Sequence, residues 1–271
     1  MVIVSFNVNS VRLRLHQLQA LVNTCSPDVI GLQETKVVDT DFPEEAMREL
    51  GYHSAFAGQK THYGVAILSR SPMSDVSVGF ATDDDSAQKR LITATVHSPA
   101  GVPVTIINGY FPQGENRSHP VKFPAKEAFY RNLVDKLRNE HSPDENLVLI
   151  GDFNVAPIDE DLGIGEDNVK RWLRSGATSF LPEEREWMKR LTDWGLDDSY
   201  RIKYPTRDDK FSWFDYRSRG FERDPKRGLR IDHLLCTHSM TRKLKDSGID
   251  YDIRSLEKPS DHCPVWSKFD L

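Results

Sequence analysis

The chain has only 3 cysteines in 271 residues: Cys25, Cys236 and Cys263. The number is odd, and no C-x-x-C pair or His-rich spacing accompanies them. A disulfide framework or a zinc centre of the usual pattern is thereby excluded as the organising feature. The plain reading is reduced thiols in a cytoplasmic protein. No apolar run approaches the length that crosses a bilayer, so no membrane partner is expected. The opening MVIVSFNVNS has neither a basic segment nor a small-residue cleavage site, and it reads as mature protein. There is no Pro/Gly/Ser-rich tract, no low-complexity block and no repeat of about 20–50 residues. One domain spanning residues 1–271 is expected. Excess positive charge is also missing: 36 Lys+Arg stand against 41 Asp+Glu, a net −5. This is not the balance of many nucleic-acid binders. A polyanionic partner would have to be met by a local basic patch, or a cation would have to offset converging acids.

What is present fits a soluble globular chain, with 38% hydrophobic and 28% charged residues. Hydrophobic spacing predicts helices at Leu13–Thr24, Glu44–Leu50, Ala125–Asn139 and Pro182–Trp194. The last has a start signal in Pro182, Glu183 and Glu184. Strands are predicted at Ile3–Asn7, Val29–Gln33, Gly64–Ser69, Leu91–His97, Val104–Asn108, Leu147–Ile150, Arg230–Cys236 and Asp250–Ser255. The mixture implies an α/β sandwich, with sheets covered by helices on their outer faces.

One feature recurs along these strands. LVLIGDFN is a greasy run that stops at Gly151 and delivers Asp152 and Asn154, which alternation would aim the same way. IVSFNVN ends in Asn7 and Asn9, VIGLQET in Glu34, and VTIINGY in Asn108 and Tyr110. LRIDHLL carries Asp232, and KPSDHCPV carries Asp261 and His262. Each piece has a bland explanation. Asp152 and Asn154 suit a turn, Asn7 and Asn9 suit a helix cap, and Glu34 alone is a loop acid. Asp232 inside an apolar strand is harder to dismiss, because a buried carboxylate needs a partner. Ligands commonly bind where strands of α/β sheets end, so these ends are expected to converge.

Acids and amides are hard oxygen ligands. Glu34 with Asp232 or Asp261 suits Mg²⁺ or Mn²⁺ and not zinc. Asp152 and Asn154 could orient and deprotonate a water, while Tyr110 and His262 hold phosphate oxygens. That combination describes a phosphoester hydrolase.

Several stretches together carry a resemblance over essentially the whole length: SFNVNSVR, DVIGLQETK, INGYFPQGE, HPVKFPAKEAFY, LIGDFNVAP, FSWFDYRSRGF, GLRIDHLL and EKPSDHCPVW. The chain resembles the exonuclease III family of AP endonucleases, within the endonuclease/exonuclease/phosphatase superfamily that includes DNase I. LQETK, GDFN and SDH are marks of the superfamily; NGYFPQGE and FSWFDYRSRGF are narrower and point to its DNA-repair branch. The resemblance implies a DNase I-like four-layer sandwich: two packed mixed β-sheets flanked by helices. It implies that Glu34 binds the divalent metal with Asn7 beside it and Asp261 close by. Asp152 would activate or orient water, Asn154 would fix that water or the phosphate, and Tyr110 would contact the scissile phosphate. Asp232 would hold the His262 ring toward it. The same resemblance makes Arg90, Gln113 and Lys122 phosphate contacts. It makes Trp213, Leu229 and Ile231 the lining of a small apolar pocket for a baseless sugar. Departures are small: Phe153, His233 and Ser10 stand where other residues are usual. His233, next to Asp232 on a strand, should face the opposite way and serve the core.

Two basic runs, KRWLR (170–174) and RSRGFERDPKRGLR (217–230), are interleaved with aromatics, which suits a grip on the DNA backbone that is indifferent to sequence. The expected function is a Mg²⁺-dependent nuclease, acting as a monomer on double-stranded DNA. It cuts 5′ to abasic sites and trims 3′ ends. A balance tilted to exonuclease or 3′-phosphatase action, or a nonspecific DNase I-like phosphodiesterase, is the alternative. A binding module without catalysis would be expected to have lost some of these acids. A Ca²⁺-stabilised domain would concentrate them in one D-x-D-x-D-G loop.

Overall fold

Alternating short apolar runs build two six-stranded sheets, seen in a computed structural model that describes residues 1–271. The strands are β1 (Val2–Asn7), β2 (Val29–Gln33), β3 (His53–Ala57), β4 (Val65–Ser69), β5 (Ser74–Val78), β6 (Leu91–His97), β7 (Pro103–Tyr110), β8 (Leu147–Asp152), β9 (Leu196–Asp198), β10 (Asp232–Thr237), β11 (Leu244–Ile249) and β12 (Val265–Phe269). The helices are α1 (Leu15–Cys25), α2 (Glu44–Glu49), α3 (Lys122–Glu140), α4 (Glu166–Ser175), α5 (Pro182–Trp194), α6 (Ser199–Lys203), α7 (His238–Thr241) and α8 (Tyr251–Arg254). One sheet runs β11-β12-β1-β2-β4-β3 and the other β5-β6-β7-β8-β10-β9. Only β1–β2 and β7–β8 pair in parallel, so both sheets are mixed, as expected.

The sheets face each other across one apolar layer that includes Ile3, Val29 and Val65 from the first and Ile106, Val148 and Ile150 from the second. Helices close the outer faces. Leu18, Leu21 and Met47 cover the first sheet, and Leu133, Trp187 and Leu191 cover the second. The result is the anticipated helix–sheet–sheet–helix sandwich. Strands buried on both faces lose their alternation and read as continuous greasy runs.

One predicted strand is wrong. That stretch is instead α8, capped by Asp250 and Ser255, because the Asp250 carboxylate accepts the Ile253 amide at 3.0 Å and starts a helical turn. The real C-terminal strands are its neighbours β11 and β12.

Asn108 also departs from expectation. It does not reach the strand ends but lies between the sheets, fully buried. There it donates to the carbonyls of Leu32 and Ala66 and accepts from Gln33 at 2.6 Å. It is a polar rivet joining the two sheets.

Candidate active site

Register places the first three site residues. Across the second sheet Tyr110 pairs with Asp152, and Asp152 pairs with Asp232. Directly opposed residues share a face, so the three stand abreast at one end of the sheet. Gly151 makes this possible: a Cβ there would lie 1.9 Å from the Gly109 carbonyl oxygen. The first sheet contributes Asn7 from the end of β1 and Glu34 just beyond β2. The Asn7 side-chain amide donates to Glu34 Oε1 and to Asp152 Oδ2, both at 2.9 Å. It thus spans the two sheets instead of capping a helix.

Beyond β8 the chain does not stay extended. Asn154 takes a left-handed φ of 54°, its amide donates to Asp152 Oδ1 at 3.0 Å, and its side-chain amide donates to the Phe111 carbonyl. GDFN therefore forms the turn its residue types suit, and that turn lies at the pocket. The turn is what delivers Asn154 to the pocket.

His262 completes the row. Its Nδ1 lies 2.9 Å from Asp232 Oδ2, and its Nε2 lies 3.8 Å from Asp152 Oδ2. Burial by itself would depress the His262 pKa; Asp232 and then Asp152 override it and raise it to about 10. The ring is therefore an imidazolium near neutrality, with one nitrogen toward each carboxylate. Asp152 is pushed up to about 7, chiefly by burial, with His262 opposing and Asp232 and Glu34 reinforcing. A carboxylate poised near neutrality is the property a general base needs. Asp261 is held below the ordinary value: burial would raise it, but His262 and the hydrogen bonds from Asn9 and Trp213 outweigh that.

The pocket above these groups has a volume of about 180 Å³. Glu34, Tyr110, Gln113, Asp152, Asn154, Trp213, Ile231, Asp261 and His262 all line it. Leu229 lies behind the wall, packed with Ile231 and Trp213. Arg90 stacks over the Tyr110 ring at 4.7 Å and the Tyr63 ring at 4.2 Å, and donates to the Tyr110 carbonyl. Lys122 stands on the surface at the start of α3, paired with Glu115. His233 serves the core, as expected, with Nδ1 against Arg230 and Nε2 against the Val155 carbonyl.

Sequence reasoning gave four further groups no role at the pocket itself. Lys36 Nζ bridges Glu34 Oε2 at 2.8 Å and Asn9 Oδ1 at 2.6 Å. The Ser212 hydroxyl accepts the Ile231 and Asp232 amides and fixes where β10 begins. Trp172, from the basic run, reaches the pocket wall, as does Ser179. Lys36 carried a signal in LQETK, two residues from Glu34; Ser212 carried none. A larger cleft of about 710 Å³ opens between Ile158 and α5. It holds none of the row of acids, so the smaller pocket is the candidate for the chemistry.

Glu34, Asp152 and His262 place potential ligand atoms within 4.8 Å of one another. The carboxylate oxygens of Glu34 and Asp152, with Asp261 lining the same pocket, are hard donors of the kind a hard divalent cation takes.

Comparison with known proteins agrees with this geometry. The model of the endonuclease/exonuclease/phosphatase family matches residues 4–262. The chain belongs to that family. It is 53% identical, over 98% of both chains, to exodeoxyribonuclease III of Haemophilus influenzae. Its fold superposes on a Neisseria 3′-phosphatase bound to a product DNA hairpin, with TM-score 0.89, 40% identity and full coverage of both chains. An AP endonuclease from Archaeoglobus fulgidus superposes with TM-score 0.90 at 32% identity, again with full coverage. The family and the site together make the chain a phosphodiester-hydrolysing enzyme of the DNA-repair nuclease type, with a divalent-metal site.

Proposed function

We propose that the protein is a Mg²⁺-dependent DNA-repair nuclease that cleaves the backbone 5′ to abasic sites and trims 3′ ends of duplex DNA. The observation that carries this is the meeting of the Tyr110–Asp152–Asp232 row with a small pocket walled by Trp213 and Ile231. The row suits in-line hydrolysis, and the wall suits a sugar without its base. A flipped nucleotide costs least where pairing is already lost, so lesion choice combines shape with flipping cost.

Asp152 takes the proton of the attacking water, and Asn154, on the same turn, orients that water. The His262 imidazolium, held by Asp232, faces the phosphate and stabilises developing negative charge. Tyr110, whose hydroxyl is kept protonated chiefly by burial, donates to a phosphate oxygen. Glu34 would hold the divalent cation, with Asp261 and Asn7 beside it. A bound cation there supplies Lewis-acid polarisation of the phosphate. The P–O3′ bond breaks, the leaving 3′-oxygen takes a proton from solvent, and the products are a 3′-hydroxyl and a 5′-deoxyribose phosphate. Arg90, Gln113 and Lys122 steady the backbone. All groups come from one chain, which supports a monomer with a single catalytic domain over residues 1–271. Three unpaired cysteines fit a cytoplasmic location.

The likeness to the Neisseria 3′-phosphatase favours one second reading, a balance tilted toward 3′-phosphate removal and exonuclease action. One experiment separates them. Labelled duplexes carrying an abasic analogue, a 3′-phosphate or a plain 3′ end are incubated with Mg²⁺, with EDTA, and with Asp152→Ala protein. A single Mg²⁺-dependent nick 5′ to the lesion, absent in the variant, is the expected result. Removal of 3′-phosphate or laddering without a nick selects the second reading. No cleavage of any duplex overturns the enzyme assignment.

A further inference from the structure

The buried face of α3 carries two polar groups for which the chemistry above has no use. Lys126 has a fully buried side chain, and Tyr130 is buried one turn further on. Burying an ammonium is costly unless every donor is matched. Lys126 matches all three. Its Nζ donates to Glu184 Oε1 at 2.5 Å, to the Asn154 carbonyl at 2.9 Å and to the Gln113 carbonyl at 3.2 Å. The Tyr130 hydroxyl donates to the Phe153 carbonyl at 2.8 Å. Residues four apart on a helix lie on one face. This pair therefore takes two consecutive carbonyls of the turn that carries Asp152 and Asn154.

That turn needs holding. Asn154 is a non-glycine residue in the left-handed region, and such conformations persist where the surroundings over-determine them. Lys126 reaches other pocket-lining segments as well. The second oxygen of Glu184 accepts the Ser179 amide at 2.7 Å and the Leu181 amide at 2.8 Å. Gln113, Asn154 and Ser179, which all line the pocket, are thus tied to one buried ion pair.

We infer that Lys126 and Tyr130 are positioning residues that fix the Asp152–Asn154 turn from behind, so that they govern kcat and not DNA affinity. The inference rests on the proposed nuclease reading for its kinetic consequence, but the positioning itself can be read without activity. The test compares the wild type with the double variant Lys126→Met/Glu184→Gln and with Tyr130→Phe. The double variant neutralises both charges and keeps a side-chain carbonyl at position 184 to accept the Ser179 and Leu181 amides. Tyr130→Phe removes one hydroxyl and nothing else.

Three readouts are taken well below the unfolding midpoint: kcat and KM for nicking an abasic duplex, active-site titration by single-turnover amplitude, and amide hydrogen exchange over residues 152–156. The double variant is expected to lose kcat about 10- to 100-fold at full amplitude, with KM within about threefold and faster exchange over 152–156. Tyr130→Phe is expected to lose about three- to tenfold in the same pattern. A folded double variant with wild-type kcat and unchanged exchange overturns the inference. Should the double variant not fold, Tyr130→Phe decides, and wild-type kcat and exchange there overturn it. Should the wild type fail to nick abasic DNA, the nuclease reading falls, while the exchange measurement still decides the positioning.

Discussion

Asp152 and His262 work as one electrostatic unit, and both shifts are upward, so both contributions to stability fade as pH rises. The folded His262 value of about 10 lies above its ordinary 6.5. Its imidazolium therefore stabilises the fold fully below about 6.5, and that contribution disappears as pH rises through about 10. The folded Asp152 value of about 7 lies above 3.8. Stability from its protonated form is complete below 3.8 and is lost as pH climbs through 7. The proposed mechanism needs Asp152 ionised and His262 protonated. The pH profile of kcat/KM should accordingly rise toward neutrality and fall near pH 10; a bound dication moves the acid limb lower. Replacing His262 by Asn removes the group that draws Asp152 down, so the acid limb of the residual activity should move to higher pH. The rate should also drop by about 10²- to 10⁴-fold, the usual worth of a positioned acid–base group. An acid limb that stays put or moves down would show that His262 does not govern Asp152. Asp152→Asn removes the proposed base and should lose a similar factor at unchanged DNA affinity, measured by single-turnover rates and binding.

The elements behind the row are held by a buried charge network. Arg230, just before β10, donates to Asp161 at 2.6 Å and to Asp198 at 2.6 Å; Arg201 also pairs with Asp161. Asp198 in turn caps α6 through the Tyr200 and Arg201 amides. Arg230→Met would leave Asp161 and Asp198 short of their main partner in the interior. The expected cost is about 3–5 kcal/mol of unfolding free energy, read from urea denaturation. A loss below about 1 kcal/mol would show that Arg201 alone satisfies Asp161. This network also illustrates how far elements were legible. Strands buried on both faces, β1, β2, β4 and β8, announced themselves as greasy runs ended by a polar group. β5 did not: all five of its residues are exposed, so SDVSV has no apolar signature. β12 alternates buried and less buried residues in VWSKF, a signal that was present and missed. α4 buries nothing and was visible only as a basic run. Asn7, Glu34, Tyr110 and Asp152 stood out as candidates because each lies at or just past the end of a legible strand, whereas Asp261 and His262 precede the missed β12 and showed only through the SDH motif. Ser212 and Ser179 did not, since their roles arise from contacts between segments distant in sequence; Lys36 showed only in LQETK, beside Glu34.

On the scale of the molecule, a net charge of −5 must coexist with a DNA-binding face. The structure resolves this by local concentration. A second cleft of about 270 Å³ abuts the catalytic pocket, shares Trp172 and Trp213 with it, and sets Arg171, Arg223 and Arg227 against the single acid Asp215. The two basic runs, far apart in sequence, meet there: α4 brings Arg171, and the loop before β10 brings Arg223 and Arg227. Guanidinia of this kind contact phosphates and carry little sequence information. Binding should then be strongly salt-dependent, with log Kd rising linearly in log salt between about 50 and 200 mM KCl. Arg171→Ala and Arg227→Ala should each reduce that slope by about 1, and each should weaken binding to abasic and intact duplexes of any sequence by the same factor. Fluorescence anisotropy in the Asp152→Asn background with EDTA present, where cleavage is suppressed, measures both quantities. A slope unchanged by either substitution would move the DNA path away from this cleft. A selective loss for one sequence would mean that these arginines read bases, and the acidic remainder of the surface would then need another explanation for its tolerance of DNA.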